Sequence, residues 1–121
     1  MEMEPRVNIW FERGGEVATS RWRVRLLEAI DREGSISGGA RAMGVPYRVA
    51  WQKVYEVEER LGIRLLETRT GGTEGGGARL TEAGRDHVAR MRRFVDLADR
   101  AIEQAYREVF GPDEEGVGRA L

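Results

Sequence analysis

Apolar residues in this chain change their spacing several times, and each change marks an element. In residues 7–11 (VNIWF), Val7, Ile9 and Phe11 fall on one side of an extended segment, the period of a strand. Arg13-Gly14-Gly15 offers a turn into a second short strand at residues 16–18, which predicts a small N-terminal hairpin. From Ser20 the period lengthens. Trp22, Leu26, Leu27 and Ile30 recur at helical spacing as far as Gly34, with Ser20 placed to cap the start.

The segment SISGGARAMG predicts a short second helix, capped by Ser37, that buries Ala40 and Met43 and stops at Gly44. A third helix opens on Pro46, which suits a first helical position, and runs to Leu61-Gly62 with an apolar stripe of Ala50, Val54, Val57 and Leu61. Residues 63–70 and 78–81 then read as two strands around the glycine-rich segment 71–77, a second hairpin. Thr81 caps a long last helix that reaches about Phe110, where Gly111-Pro112 ends it, and the final residues are expected to fray.

This order of hairpin, three helices, hairpin and long helix predicts a mainly α fold with small β-hairpins, a winged helix-turn-helix. The expected boundaries are 1–19 for the first hairpin, 20–80 for the winged domain, 81–110 for a dimerisation helix and 111–121 for a flexible tail. The tight Gly44-Val45 turn forces the second and third helices to cross steeply, a geometry that pushes the third helix into a DNA major groove while the second braces it. Opposite its apolar stripe the third helix carries Tyr47, Arg48, Trp51, Gln52 and Tyr55. Arginine can read guanine and glutamine can read adenine on the major-groove edge, so these are the candidate base contacts. Trp51, next to Ala50, has a second reading as a core residue beneath the second hairpin. Backbone contacts are expected from Ser37, Lys53, Arg69, Gly75, Gly76 and Arg79, the last four in or beside the wing. The glycine segment lacks the Gly-Lys-Ser/Thr of a nucleotide-binding loop.

In the last helix Val88, Met91, Val95 and Ala98, then Ile102, Ala105 and Val109, alternate by three and four residues. That is a coiled-coil seam. About 30 residues at 1.5 Å each extend roughly 45 Å, more than a small domain covers, so a homodimer is expected, with half-sites about 34 Å apart.

Charge supports this placement. The net charge is only -1, yet residues 21–81 hold eleven basic against eight acidic residues, and Lys53 is the only lysine. Double-stranded DNA would therefore meet a local arginine-rich patch rather than a basic tail. With no cysteine, disulfides and thiolate chemistry are excluded. The single histidine, His87, has no catalytic companions and reads as a surface residue, and Glu56, Glu58 and Glu59 read as a solvated helix face. No enzyme activity, cofactor, metal site or membrane association is expected, and the cytoplasm is the expected location.

The run SISGGARAMGVPYRVAW (35–51) followed by TGGTEGGGARLTEAGR (70–85) resembles the N-terminal DNA-binding domain of the molybdate-responsive ModE regulators. More distantly, EERLGIRLLE (58–67) with LTEAG (80–84) is similar to LysR-type regulators. The resemblance implies that Tyr47, Arg48, Trp51 and Gln52 lie on the recognition helix, 71–78 on the wing and 81–110 on the dimer helix. Pro46 stands where a capping serine is usual, and Thr73-Glu74 where the wing often has lysine. Family members bind molybdate in C-terminal domains that this sequence is not expected to contain, so the reading expects oxyanion sensing, if any, from a separate effector-sensing chain. The reading is a homodimeric, sequence-specific transcriptional regulator; the alternatives are a protein-interaction module on this fold that no longer binds DNA, or a molybdate-binding protein.

Overall fold

The elements follow one another as β1 (Trp10–Arg13), β2 (Glu16–Ser20), α1 (Arg21–Glu33), α2 (Ile36–Met43), α3 (Tyr47–Leu61), β3 (Leu66–Arg69), β4 (Gly77–Leu80) and α4 (Glu82–Val109) in a computed structural model that describes residues 3–69 and 76–111. The fold is mainly helical with two antiparallel hairpins, as the hydrophobic pattern implies. β1 begins later than expected. Gly14 and Gly15 both adopt positive φ, 62° and 84°, the pair of values that makes a two-residue hairpin turn match the strand twist. That turn sets Arg13 opposite Glu16 and an irregularity falls between Phe11 and Glu12, so Val7 and Ile9 lie outside the strand.

Helix boundaries follow their caps. The Ser20 side chain accepts from the Arg23 N–H, and the Thr81 side chain from the Gly84 N–H, satisfying first-turn donors that have no partner within the helix. Two expected boundaries need correction. Ser35, not Ser37, caps α2 by accepting from the Gly38 N–H at 2.9 Å, because the helix starts at Ile36, while Ser37 is exposed on its first turn. Pro46 is the residue before α3 rather than its first helical residue; its ψ of 151° is extended and it supplies no side-chain cap, only its carbonyl to the N–H groups of Val49 and Ala50.

The core joins Leu26, Leu27 and Ile30 of α1 to Ala40 of α2, Ala50, Val54 and Val57 of α3, and Leu80 of β4. α1 and α2 cross so closely that Gly39 has no room for a side chain: a Cβ there would meet the Ile30 main chain at 2.8 Å. Three polar contacts fix the wing to this core. The Ala78 N–H donates to the Gly34 carbonyl at 2.9 Å, the Leu80 N–H donates to Asp31 Oδ1 at 2.8 Å, and the Glu58 carboxylate accepts from the Leu65 and Leu66 N–H groups at 2.8 and 3.0 Å. The first hairpin is tied to the end of α3, where Arg60 pairs with Glu16 at 2.7 Å and donates to the Val17 carbonyl at 2.8 Å. Among the described residues no helix is long and apolar enough to cross a membrane.

Candidate nucleic-acid interface

Gly44, in the left-handed region at φ 72°, and extended Pro46 turn the chain sharply between α2 and α3. The apolar stripe of α3 goes inward: Ala50, Val54 and Val57 are at most 5% exposed and Leu61 is partly buried against the same core. By the helical period the opposite face must point out, and Tyr47, Trp51 and Tyr55 are 53%, 48% and 46% exposed. Arg48 and Gln52 are exposed beside them. The core reading of Trp51 is thereby replaced. It stands between two depressions that separate α3 from the wing, lining both, and its ring stacks on Tyr55 with centroids 5.6 Å apart and planes 4° from parallel. Among the described residues Arg48 has no acidic partner, which leaves its five donors available. Gln52 is less free, since its Nε2 donates to Glu56 Oε2 at 3.1 Å; one amide hydrogen and the carbonyl oxygen remain.

Of the α3 glutamates only Glu59 is solvated; Glu56 and Glu58 are half-buried. Glu56 lies 3.0 Å from Arg23, 3.6 Å from Arg60 and 3.9 Å from Lys53. Partial burial alone would raise its pKa, but the hydrogen bond from Gln52 and the three cations outweigh that and hold the carboxyl below its ordinary value. Glu58 anchors the wing. Only Glu59 is exposed, accepting from the Tyr55 hydroxyl at 3.3 Å. Gln52, Lys53 and Arg60 stand three or four residues from Glu56 on the same helix, but sequence reasoning missed the cluster because Arg23 comes from α1 and the Leu65 and Leu66 N–H groups from across the α3–β3 loop. Lys53 is accordingly half-buried, its ammonium drawn toward Glu56. Arg23 Nη1 is buried without a partner.

At the wing, Arg69 pairs in register with Gly77, and Arg69, Gly76 and Arg79 are all exposed. Arg79 is shared with Glu67, Nε to Oε1 3.1 Å, a contact of little worth at so exposed a site. Gly75, with Gly71, Thr73 and Glu74, lies outside the described residues. The structure therefore brings Tyr47, Arg48, Trp51, Gln52 and Tyr55 onto one face of α3, beside the base of the wing and exposed Ser37.

Along α4 the expected seam divides. Val88 and Met91, 8% and 5% exposed, belong to the domain's own core. Val95, Ala98 and Ile102 are half-buried, whereas Ala105 and Val109 are exposed. Phe94 and Leu97, each 47% exposed, form a neighbouring stripe one position back that the period alone did not single out, and Phe94 meets Phe11 of β1 edge to face at 5.0 Å. His87 is half-buried rather than a free surface residue. Its Nε2 shares a 2.9 Å hydrogen bond with the hydroxyl of Thr19, itself 3% exposed, and burial lowers its pKa although Asp86 acts in the opposite direction.

Comparison with known proteins agrees with this geometry. The molybdenum-pterin-binding protein MopA of Rhodobacter capsulatus is 42% identical over 78 residues, 64% of this chain and 29% of MopA. The molybdenum transport protein ModE of Azotobacter vinelandii is 36% identical over 108 residues, 86% of this chain and 40% of ModE. The chain thus spans well under half the length of these relatives. Among solved structures, the DNA-binding domain of CbnR in complex with DNA has a TM-score of 0.58 at 23% identity, covering 72% of this chain and 94% of that one. Full-length LysG from Corynebacterium glutamicum has a TM-score of 0.53 at 26% identity, covering 73% and 29%. Residues 22–85, from the first turn of α1 through the wing into α4, match the family described as bacterial regulatory helix-turn-helix protein, lysR family, and the chain belongs to that family.

Proposed function

We propose that this protein is a sequence-specific, double-stranded-DNA-binding regulator of transcription that acts as a homodimer in the cytoplasm. The observation that carries this reading is the outward face of α3: an unpaired arginine, a half-committed glutamine and exposed aromatic rings stand on a helix braced from behind by α1 and α2. Arg48 reads a guanine edge, Gln52 an adenine edge, and Arg69, Arg79 and Gly76 meet phosphates from the wing. The acidic residues of α3 lie in its C-terminal half, so the N-terminal half enters the groove. A second copy packs along α4, over exposed Phe94 and Leu97 and on through Ala105 and Val109, with half-buried Val95, Ala98 and Ile102 at its edge. This pairing places two recognition helices for half-sites about one helical turn apart.

The test compares Arg48→Ala and Arg79→Ala on the chain's own promoter fragment and on random duplexes. Arg48→Ala is expected to lower cognate affinity by about 1–3 kcal/mol and to relax specificity. Arg79→Ala is expected to weaken all duplexes alike and to flatten the salt dependence by about one unit of slope. Equal shifts in both variants would reject the assigned roles. Failure to retard any duplex, with a partner protein retained instead, would favour the interaction-module reading. Retention of molybdate in equilibrium dialysis would favour an oxyanion-binding role.

A further inference from the structure

The aromatic pair on α3 is not explained by arginine and glutamine readout. Trp51 and Tyr55, one turn apart, lie parallel within 4° at 5.6 Å, and each is nearly half exposed, with depressions of mixed polar and apolar lining on both sides of Trp51. The Tyr55 hydroxyl is moored to Glu59. The stack fixes the indole before any partner arrives, so little side-chain entropy remains to be lost on binding. Its indole N–H has no partner among the described residues.

On the major-groove edge only thymine offers an apolar group, the 5-methyl, and it carries the O4 acceptor beside it. A rigid apolar face with one free N–H matches that pair of features. It matches guanine and cytosine less well, because neither carries that methyl on its major-groove edge. We propose that Trp51, held by Tyr55, is a specificity-determining residue that reads thymine through its 5-methyl group. This inference rests on the DNA-binding reading above and deepens it. With Gln52 at the next position directed to adenine, the helix reads an A·T-containing step beside the guanine met by Arg48.

The experiment selects duplexes from a random pool with the full chain and replaces each thymine of the selected site in turn by deoxyuridine, which removes only the methyl. Affinities are measured by fluorescence anisotropy at fixed salt. At least one thymine per half-site is expected at which the replacement weakens binding about fourfold, the worth of one buried methyl. In Trp51→Ala that discrimination disappears while binding to the thymine duplex falls, and Tyr55→Ala reduces it by freeing the indole. The deoxyuridine arm uses the unaltered protein and so does not depend on the variants folding. A selected site that binds thymine and deoxyuridine duplexes equally at every position, or discrimination that survives Trp51→Ala, overturns this inference and leaves DNA binding standing. Recovery of no duplex from the pool overturns both.

Discussion

Gly39→Ala tests whether the close crossing of α1 and α2 governs the stability of the fold. Intrinsic propensity favours the change, since alanine in a helix is better than glycine by up to about 1 kcal/mol. The structure opposes it. The new Cβ would lie 2.8 Å from Ile30 Cα and 2.8 Å from Ile30 N, where ordinary contact begins at 3.4 Å. Because these are main-chain atoms, no rotamer change relieves the overlap, and α2 has to move by about half an ångström. Overpacking of this kind costs about 1–3 kcal/mol, and an immovable neighbour places it at the upper end. After the propensity gain the net loss is about 2 kcal/mol, or roughly 8 °C in Tm for a domain of this size. Thermal unfolding followed by circular dichroism at one protein concentration measures it. Ala42→Gly, exposed on the same helix, is the control and should lose about 0.5–1 kcal/mol from propensity alone. The two opposite exchanges thus destabilise in the same direction. A Gly39→Ala protein as stable as the original, or more stable, would refute the crossing as described.

Three further outcomes are expected. Glu58→Ala leaves the N–H groups of Leu65 and Leu66 without their acceptor and should lower unfolding stability by about 2 kcal/mol or more, whereas Glu58→Gln, which keeps an acceptor oxygen, should retain most of it in urea titration. His87 has a lowered pKa in the folded state, so its contribution is complete above the unfolded value of about 6.5 and declines as pH falls below it; His87→Gln should flatten the fall of stability below about pH 6.5, and an unchanged slope would exclude His87 as its source. Leu97→Asp should shift the protein to monomer in sedimentation at micromolar concentration while changing the unfolding of each domain little, because Leu97 is exposed; an intact dimer would remove the Phe94–Leu97 stripe from the interface.

What a segment could decide from its own neighbours was legible in the sequence. Ser20, Thr81, Gly34, Gly44 and Gly62 mark helix ends because a cap satisfies backbone groups within three or four residues, and the outward set on α3 followed from the 3.6-residue period once Ala50, Val54 and Val57 were recognised as core. Choices between equivalent local options were left to tertiary packing. Ser35 and Ser37 could each cap a helix over the same segment, and the start of α2 is the one that turns Gly39 and Ala40 toward α1. α4 carries two adjacent apolar stripes, and the packing of α1 and β1 decides that Val88 and Met91 go inward while Phe94 and Leu97 stay outside. Glu56, Glu58 and His87 looked solvent-facing because their partners Arg23, the Leu65 and Leu66 N–H groups and Thr19 are distant in sequence or lie across a turn. The sequence alone determined which elements form and which face of the third helix is polar. Only the folded chain decided which charges are already neutralised and which side chains are left to meet a partner, because electrostatic and packing energies depend on distances in space that chain separation does not encode.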